Sequence, residues 1–121
     1  MSFTENILTR SHVTSAAVSQ YKFVVVTSGL AAAAGTAGVR VDGVAITDAS
    51  ASGKAISVAY LGRVPVVAAG TIALGAAVAT NASGNATSAT TGQIIIGTAM
   101  EAAVSGQVFT IDLRLDGTAA P

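Results

Sequence analysis

Residues 60–79, YLGRVPVVAAGTIALGAAVA, decide the fold class, because Arg63 and Thr71 are the only plainly polar side chains among them. At about 20 mostly apolar residues the stretch is long enough to cross a bilayer as a helix. Its local chemistry opposes that reading. Gly62, Gly70 and Gly75 each cost roughly 1 kcal/mol inside a helix and Pro65 about 3, while the apolar bulk is Val and Ala rather than Leu. Arg63 would lie a single turn inside the membrane. With a period of two, Val64, Val66 and Ala68 share a face, and glycines punctuate the run at short intervals. Short strands joined by tight turns are therefore expected, with no membrane span.

The composition frames those strands. A chain of 121 residues has room for one domain and one core. Half of it is apolar, yet it has no Trp, three Phe and two Tyr. Burial stabilises by about 25 cal/mol per Å², and Ala offers little area, so a lone monomer is expected to be marginal and to gain from association. Six basic and six acidic residues are scattered along the chain. Net charge near zero favours self-association, and no basic cluster is present to neutralise a phosphate backbone, so no direct nucleic-acid partner is expected. The absence of cysteine excludes disulfides, thiolate metal sites and thiol redox chemistry. The opening MSFTENILTR carries Glu5 and no apolar signal core, so it is not expected to act as a secretory signal, and the protein is expected to be made in the cytoplasm and kept there or released only when a cell lyses.

Outward from residues 60–79, the plainest strand is residues 109–116, where Phe109, Ile111, Leu113 and Leu115 alternate with Thr110, Asp112, Arg114 and Asp116. Residues 93–97 suggest a strand covered on both faces, and residues 100–104 a connector able to form one helical turn. Asn81, Ser83, Gly84 and Asn85 supply a turn between two small-residue strands. Residues 56–60, the Val39, Val41 and Val44 region, and residues 21–26 add further strands. Residues 29–38, GLAAAAGTAG, are too glycine-rich for a helix and are assigned to a loop or hairpin bend. The expectation is an all-β protein: a compact antiparallel β-barrel or β-sandwich of about eight short strands. Residues 20–116 form the β-domain and residues 117–121 a tail. Residues 1–19 are either an extended N-terminal arm that orders on a neighbour or simply the first strand, and the pattern leaves both open.

Catalytic groups are scarce. His12 is the only histidine, and Ser11 beside it points to the opposite strand face, so no nucleophile and base pair forms locally; a solvated or interface His is the plainer reading. The spacings of Asp42 and Asp48, and of Asp112 and Asp116, match no calcium loop. Gly53-Lys54 lacks the rest of a phosphate loop, and there is no GxGxxG. Neither a metal, a cofactor nor a catalytic set is expected. Two glycosylation triplets, at Asn81 and Asn85, mark a polar hairpin tip. Arg63 is either a solvent-facing residue of an edge strand or a partner for a carboxylate across a subunit interface.

Taken in order, these pieces resemble the capsid cement, or head decoration, proteins of tailed bacteriophages, over residues 7–115. The resemblance is carried by Gly43-Val44-Ala45, Ala49 with Gly53, and residues 56–59 leading through Gly62 to Val64 and Val66. It continues through Ala69-Gly70, Ile72, Gly75, Val78 and Gly84 to residues 96–102, Gly106, Val108, Ile111 and Leu113. Ser19-Gln20 stands where the family often has a glycine turn, and Ala76 where it often has a charged residue. The resemblance implies a non-enzymatic β-rich protein on the outer surface of the phage head, commonly a homotrimer at local threefold positions, that clamps neighbouring major capsid proteins. Phe3, Ile7, Leu8 and Arg10 in the arm, with Arg63, are the candidate interface residues. The rival is a small β-domain of a phage fibre or adhesin that binds a surface ligand, although only Tyr21 and Tyr60 are available as tyrosine platforms.

Overall fold

The computed structural model describes residues 5–113, with side chains from Thr9 onward. Among the described residues nine strands form one hydrogen-bonded sheet: β1 (Glu5–Thr14), β2 (Phe23–Thr27), β3 (Leu30–Ala33), β4 (Gly43–Ala45), β5 (Ala55–Val67), β6 (Ala77–Thr80), β7 (Ala86–Ser88), β8 (Gly97–Ala99) and β9 (Val108–Leu113). Among the described residues there is no helix, so none crosses a membrane as one. The all-β expectation holds, and the pairs are antiparallel except for β1 with β3, which is parallel.

Starting at β1, the pairings run to β3, β2, β4 and β5 and return to β1, so five strands form a ring. From the far half of β5 the sheet continues through β9, β8 and β6 to β7, and a parallel bridge from Ala86 reaches back to Ala68, just past β5. Strands β2, β4 and β5 are the wall common to both parts. Phe23, Val44 and Ala59 lie in register across it and join a larger core with Val64, Val66, Phe109 and Ile111. Their chain neighbours Val24, Ala45 and Val58 face the other way into a smaller core with Val18, Ala31, Ala49 and Ile56. A wall buried on both faces has no use for polar alternation, which is why these segments are almost wholly apolar.

Strand β5 serves both cores because of a bulge. Opposite β1, Leu8 pairs with Leu61 and Thr9 with Ala59, leaving Tyr60 as the extra residue. Ile56 and Val58 accordingly face the smaller core, whereas Val64 and Val66, also even-numbered, face the larger one. Gly62, at φ 120°, follows at a conformation that side-chain-bearing residues rarely adopt. Pro65 is tolerated within this strand because it lies opposite Thr110. Thr110 directs its N–H to Glu101 and accepts from the Met100 N–H, so no bond toward β5 is lost.

Three local expectations are corrected. Residues 30–33 are a strand, not a bend: Ser28 and Gly29, both with positive φ, make a two-residue hairpin turn, and Ala31 is fully buried. Residues 93–97 do not make a ladder, since Ile94 donates to Gly38 and Ile96 to Val78, two unrelated partners; the strand begins at Gly97. Residues 100–104 form no helical turn, because Met100 donates to Thr110 and Ala103 exchanges bonds with Ile72. At the departure noted at Ser19-Gln20, Tyr21 itself takes the left-handed conformation at φ 67°.

Candidate functional site

The bulge that splits β5 also builds a polar cluster. Register places Arg10 opposite Val58 and His12 opposite Ile56, so both flank Tyr60 from β1. The Arg10 guanidinium stands 5.6 Å from the Tyr60 ring centroid, within cation–π range. His12 Nε2 and the Tyr60 hydroxyl share a hydrogen bond, with the two rings tilted at 41°. Burial raises the Tyr60 pKa, the Asp42 charge raises it further, and Arg10 opposes both. The phenol therefore stays protonated and serves as a hydrogen-bonding post rather than a base.

Asp42 extends the same region in a structural role. β4 pairs only Gly43 and Val44 with β2, and one Asp42 carboxylate oxygen accepts the Val26 N–H at 2.8 Å, continuing β2's bonding beyond the end of β4. Its other oxygen meets Arg40 at 3.2 Å; that guanidinium is largely in water, so the ion pair contributes little. Lys22 ties the start of the wall to the β6–β7 hairpin, donating to the Ser83 carbonyl and to Asn85 Oδ1. Asn81 Oδ1 accepts from both the Ser83 and Asn85 N–H groups, so these asparagines serve the turn.

The proposed interface residues are only partly brought together. Phe3 lies outside the described residues. Ile7 is the unpaired residue at a register shift in β1, and Leu8 pairs with Leu61; for both, the description is of the backbone. Arg10 is exposed, over Tyr60. Arg63 is exposed in β5, in register with Glu5 of β1 on one side and Asp112 of β9 on the other, far along the strand from Arg10. The residues that sequence reasoning missed are Tyr60 as the centre of the cluster and an apolar strip around Leu74 and Val104. A glycine within a strand pattern, Gly62, was the available signal for the bulge. Among the described residues no three His, Cys, Asp or Glu side chains gather as a metal site.

What this arrangement offers is surface and stiffness: a doubly buried wall, turns pinned by side chains, and exposed patches suited to contact. The family model for phage cement proteins matches residues 4–115. The chain belongs to the phage cement protein family. It is thereby a member of a family of structural phage proteins that act on the capsid. No curated protein matches this cement protein in sequence. Among solved structures it is similar to the N-terminal base of the head fiber protein gp8.5 of bacteriophage phi29, with a TM-score of 0.75 and 21% identity over 93% of this chain and 98% of that one. At that identity the likeness is one of fold.

Proposed function

We propose that this cement protein sits on the outer surface of the expanded phage head and clamps neighbouring major capsid proteins, as a homotrimer at local threefold positions and without catalysis. The observation that carries the reading is the family match across residues 4–115. The residue chemistry supports it. A core rich in Ala and Val leaves a lone copy modestly stable, so binding to a lattice stabilises it by mass action. Contacts repeated around one site add through effective concentration. Affinity for the expanded lattice, absent for the unexpanded one, stabilises the expanded state by that difference and resists pressure from packaged DNA.

Cosedimentation of the protein with expanded heads that lack it, alongside unexpanded precursors, tests the proposal. Saturable binding to expanded heads alone, at a fixed ratio to coat protein, is expected. No binding to either sinks it. The likeness to a head fiber base favours one second reading, a fibre domain that recognises a surface ligand. That reading predicts binding in a glycan screen and no gain in the thermal survival of heads.

A further inference from the structure

The ring of five strands closes around the smaller core, and four of its staves line that core with apolar side chains: Val24 and Val26 from β2, Ala31 from β3, Ala45 from β4, and Ile56 and Val58 from β5. β1 is different. Residues directly opposite one another share a face of the sheet, so Arg10 opposite Val58, His12 opposite Ile56 and Thr14 opposite Ala31 form its inward row. That row is polar throughout. Thr9, Ser11 and Val13 point the other way and are exposed, and no side chain of residues 9–14 belongs to either core.

Hydrogen bonds hold this stretch in place. At one end Thr14 is buried and pinned: its N–H donates to the Lys54 carbonyl at 2.9 Å, its carbonyl accepts the Gly53 N–H, and its hydroxyl donates to the Ala51 carbonyl at 3.0 Å. At the other end the ladder to β5 is interrupted by register shifts between Asn6 and Leu8 and between Leu8 and Thr9. Between these points the side chains reach Tyr60, where His12 shares the bond to the hydroxyl and Arg10 lies over the ring. Separation of residues 9–13 from β5 wets one side of the smaller core but withdraws no apolar side chain from it, and ladder bonds given up to water are largely replaced.

We propose that β1 is the movable stave of the ring: residues 9–13 part from β5, with Thr14 as the hinge, while the other strands stay folded. The larger core, built from β2 and from β4 through β9, takes no side chain from residues 9–14 and so has no stake in this opening. Stability is rarely uniform, and the element that lends least to the cores is the one that opens below global unfolding. The open state bares the edge of β5, whose N–H and C=O groups are then free to pair with an extended segment. This inference is independent of where the protein sits on the head, and the cosedimentation outcome does not bear on it.

Native-state hydrogen exchange on the full chain tests it, under conditions where the rate reports the opening equilibrium. Strand alternation from the Thr14 bond turns the Arg10 and His12 N–H groups toward β5, and alternation from the Ala68 bond to Gln107 pairs Val66 with Phe109 in the larger core. The Arg10 and His12 amides are expected to exchange at least about a hundredfold faster than those of Val66 and Phe109. A clamp then closes the stave. Ser11 and Ser57 lie opposite each other, and the chain has no cysteine, so Ser11→Cys with Ser57→Cys gives one cross-link, which on oxidation should remove most of that difference. If the cross-link does not form, His12→Ala stands in, speeding exchange at Arg10 by roughly two- to tenfold and leaving Val66 unmoved. Equal protection of all four amides in the wild type overturns the proposal. So does a difference that survives the oxidised clamp, or an Arg10 amide indifferent to His12→Ala.

Discussion

Gly43 lies in β4 between β2 and β5, and a Cβ added there would lie 2.4 Å from the Ala59 carbonyl oxygen and 2.6 Å from a Val58 methyl. Real Cβ contacts essentially never fall below 3.0 Å, so Gly43→Ala must widen that gap by at least about 0.6 Å. The Ala59 oxygen is backbone and cannot turn aside. If β4 yields, bonds such as Ile46 N–H to the Ser57 carbonyl, now 2.9 Å, lengthen to about 3.5 Å and leave the effective range. One or two such bonds at about 1 kcal/mol each, with the strain of overpacking, give a loss of roughly 2–4 kcal/mol. A chain of this length has roughly 6–18 kcal/mol to lose. Urea unfolding reads the effect as a fall in midpoint of about 1–3 M at unchanged slope. Gly53→Ala is the comparison: nothing lies within 4 Å of its added Cβ, so only the left-handed strain at φ +84° applies, about 1–2 kcal/mol. Equal losses in the two variants would refute the claim that close approach of β4 and β5 is what demands glycine at position 43.

Two further outcomes follow from side-chain contacts. Burial works to raise the pKa of Glu101, but hydrogen bonds from the Thr110 N–H and hydroxyl work to lower it, and the carboxyl is held below its ordinary 4.5. A depressed pKa means that the ionised form favours the fold. The stabilisation is therefore complete above 4.5 and lost as pH falls through the folded value. Glu101→Gln keeps an acceptor for Thr110 and removes the titration; urea midpoints measured from about pH 6 to 3 should show a shallower acid decline than wild type, and parallel curves would contradict the assignment. Tyr60→Phe keeps the ring beneath Arg10 and loses the bond to His12, at an expected cost of about 0.5–1.5 kcal/mol in thermal or urea unfolding, with no change there placing the bond outside the fold's stability.

Much of the strand order was legible because its signals are local. The alternation from Phe109 to Leu113 corresponds to β9, the turn residues Asn81 to Asn85 to the β6–β7 hairpin, and the glycines and proline of residues 60–79 to strands in place of a helix. The Gly29–Gly38 segment misled because alanine and glycine carry little strand signal of their own. Leu30 to Ala33 are extended because they pair in register with Val24 to Thr27 of β2, a partner that only the fold supplies. The candidate site was less legible. Arg10 was singled out without Tyr60 and His12, which lie 48 residues apart, because their meeting depends on how β1 registers with β5.

The sequence by itself determined that this is an all-β chain with a small-residue core and the pattern of the phage cement family, since periodicity, turn chemistry and composition are properties of neighbouring residues. Only the tertiary structure decided that β5 is one strand serving two cores, and that the segments around Ile72 and Ala103 lie edge to edge. Those depend on a bulge of one residue and on hydrogen bonds between segments some thirty positions apart, such as Ile72 with Ala103, which no local pattern encodes.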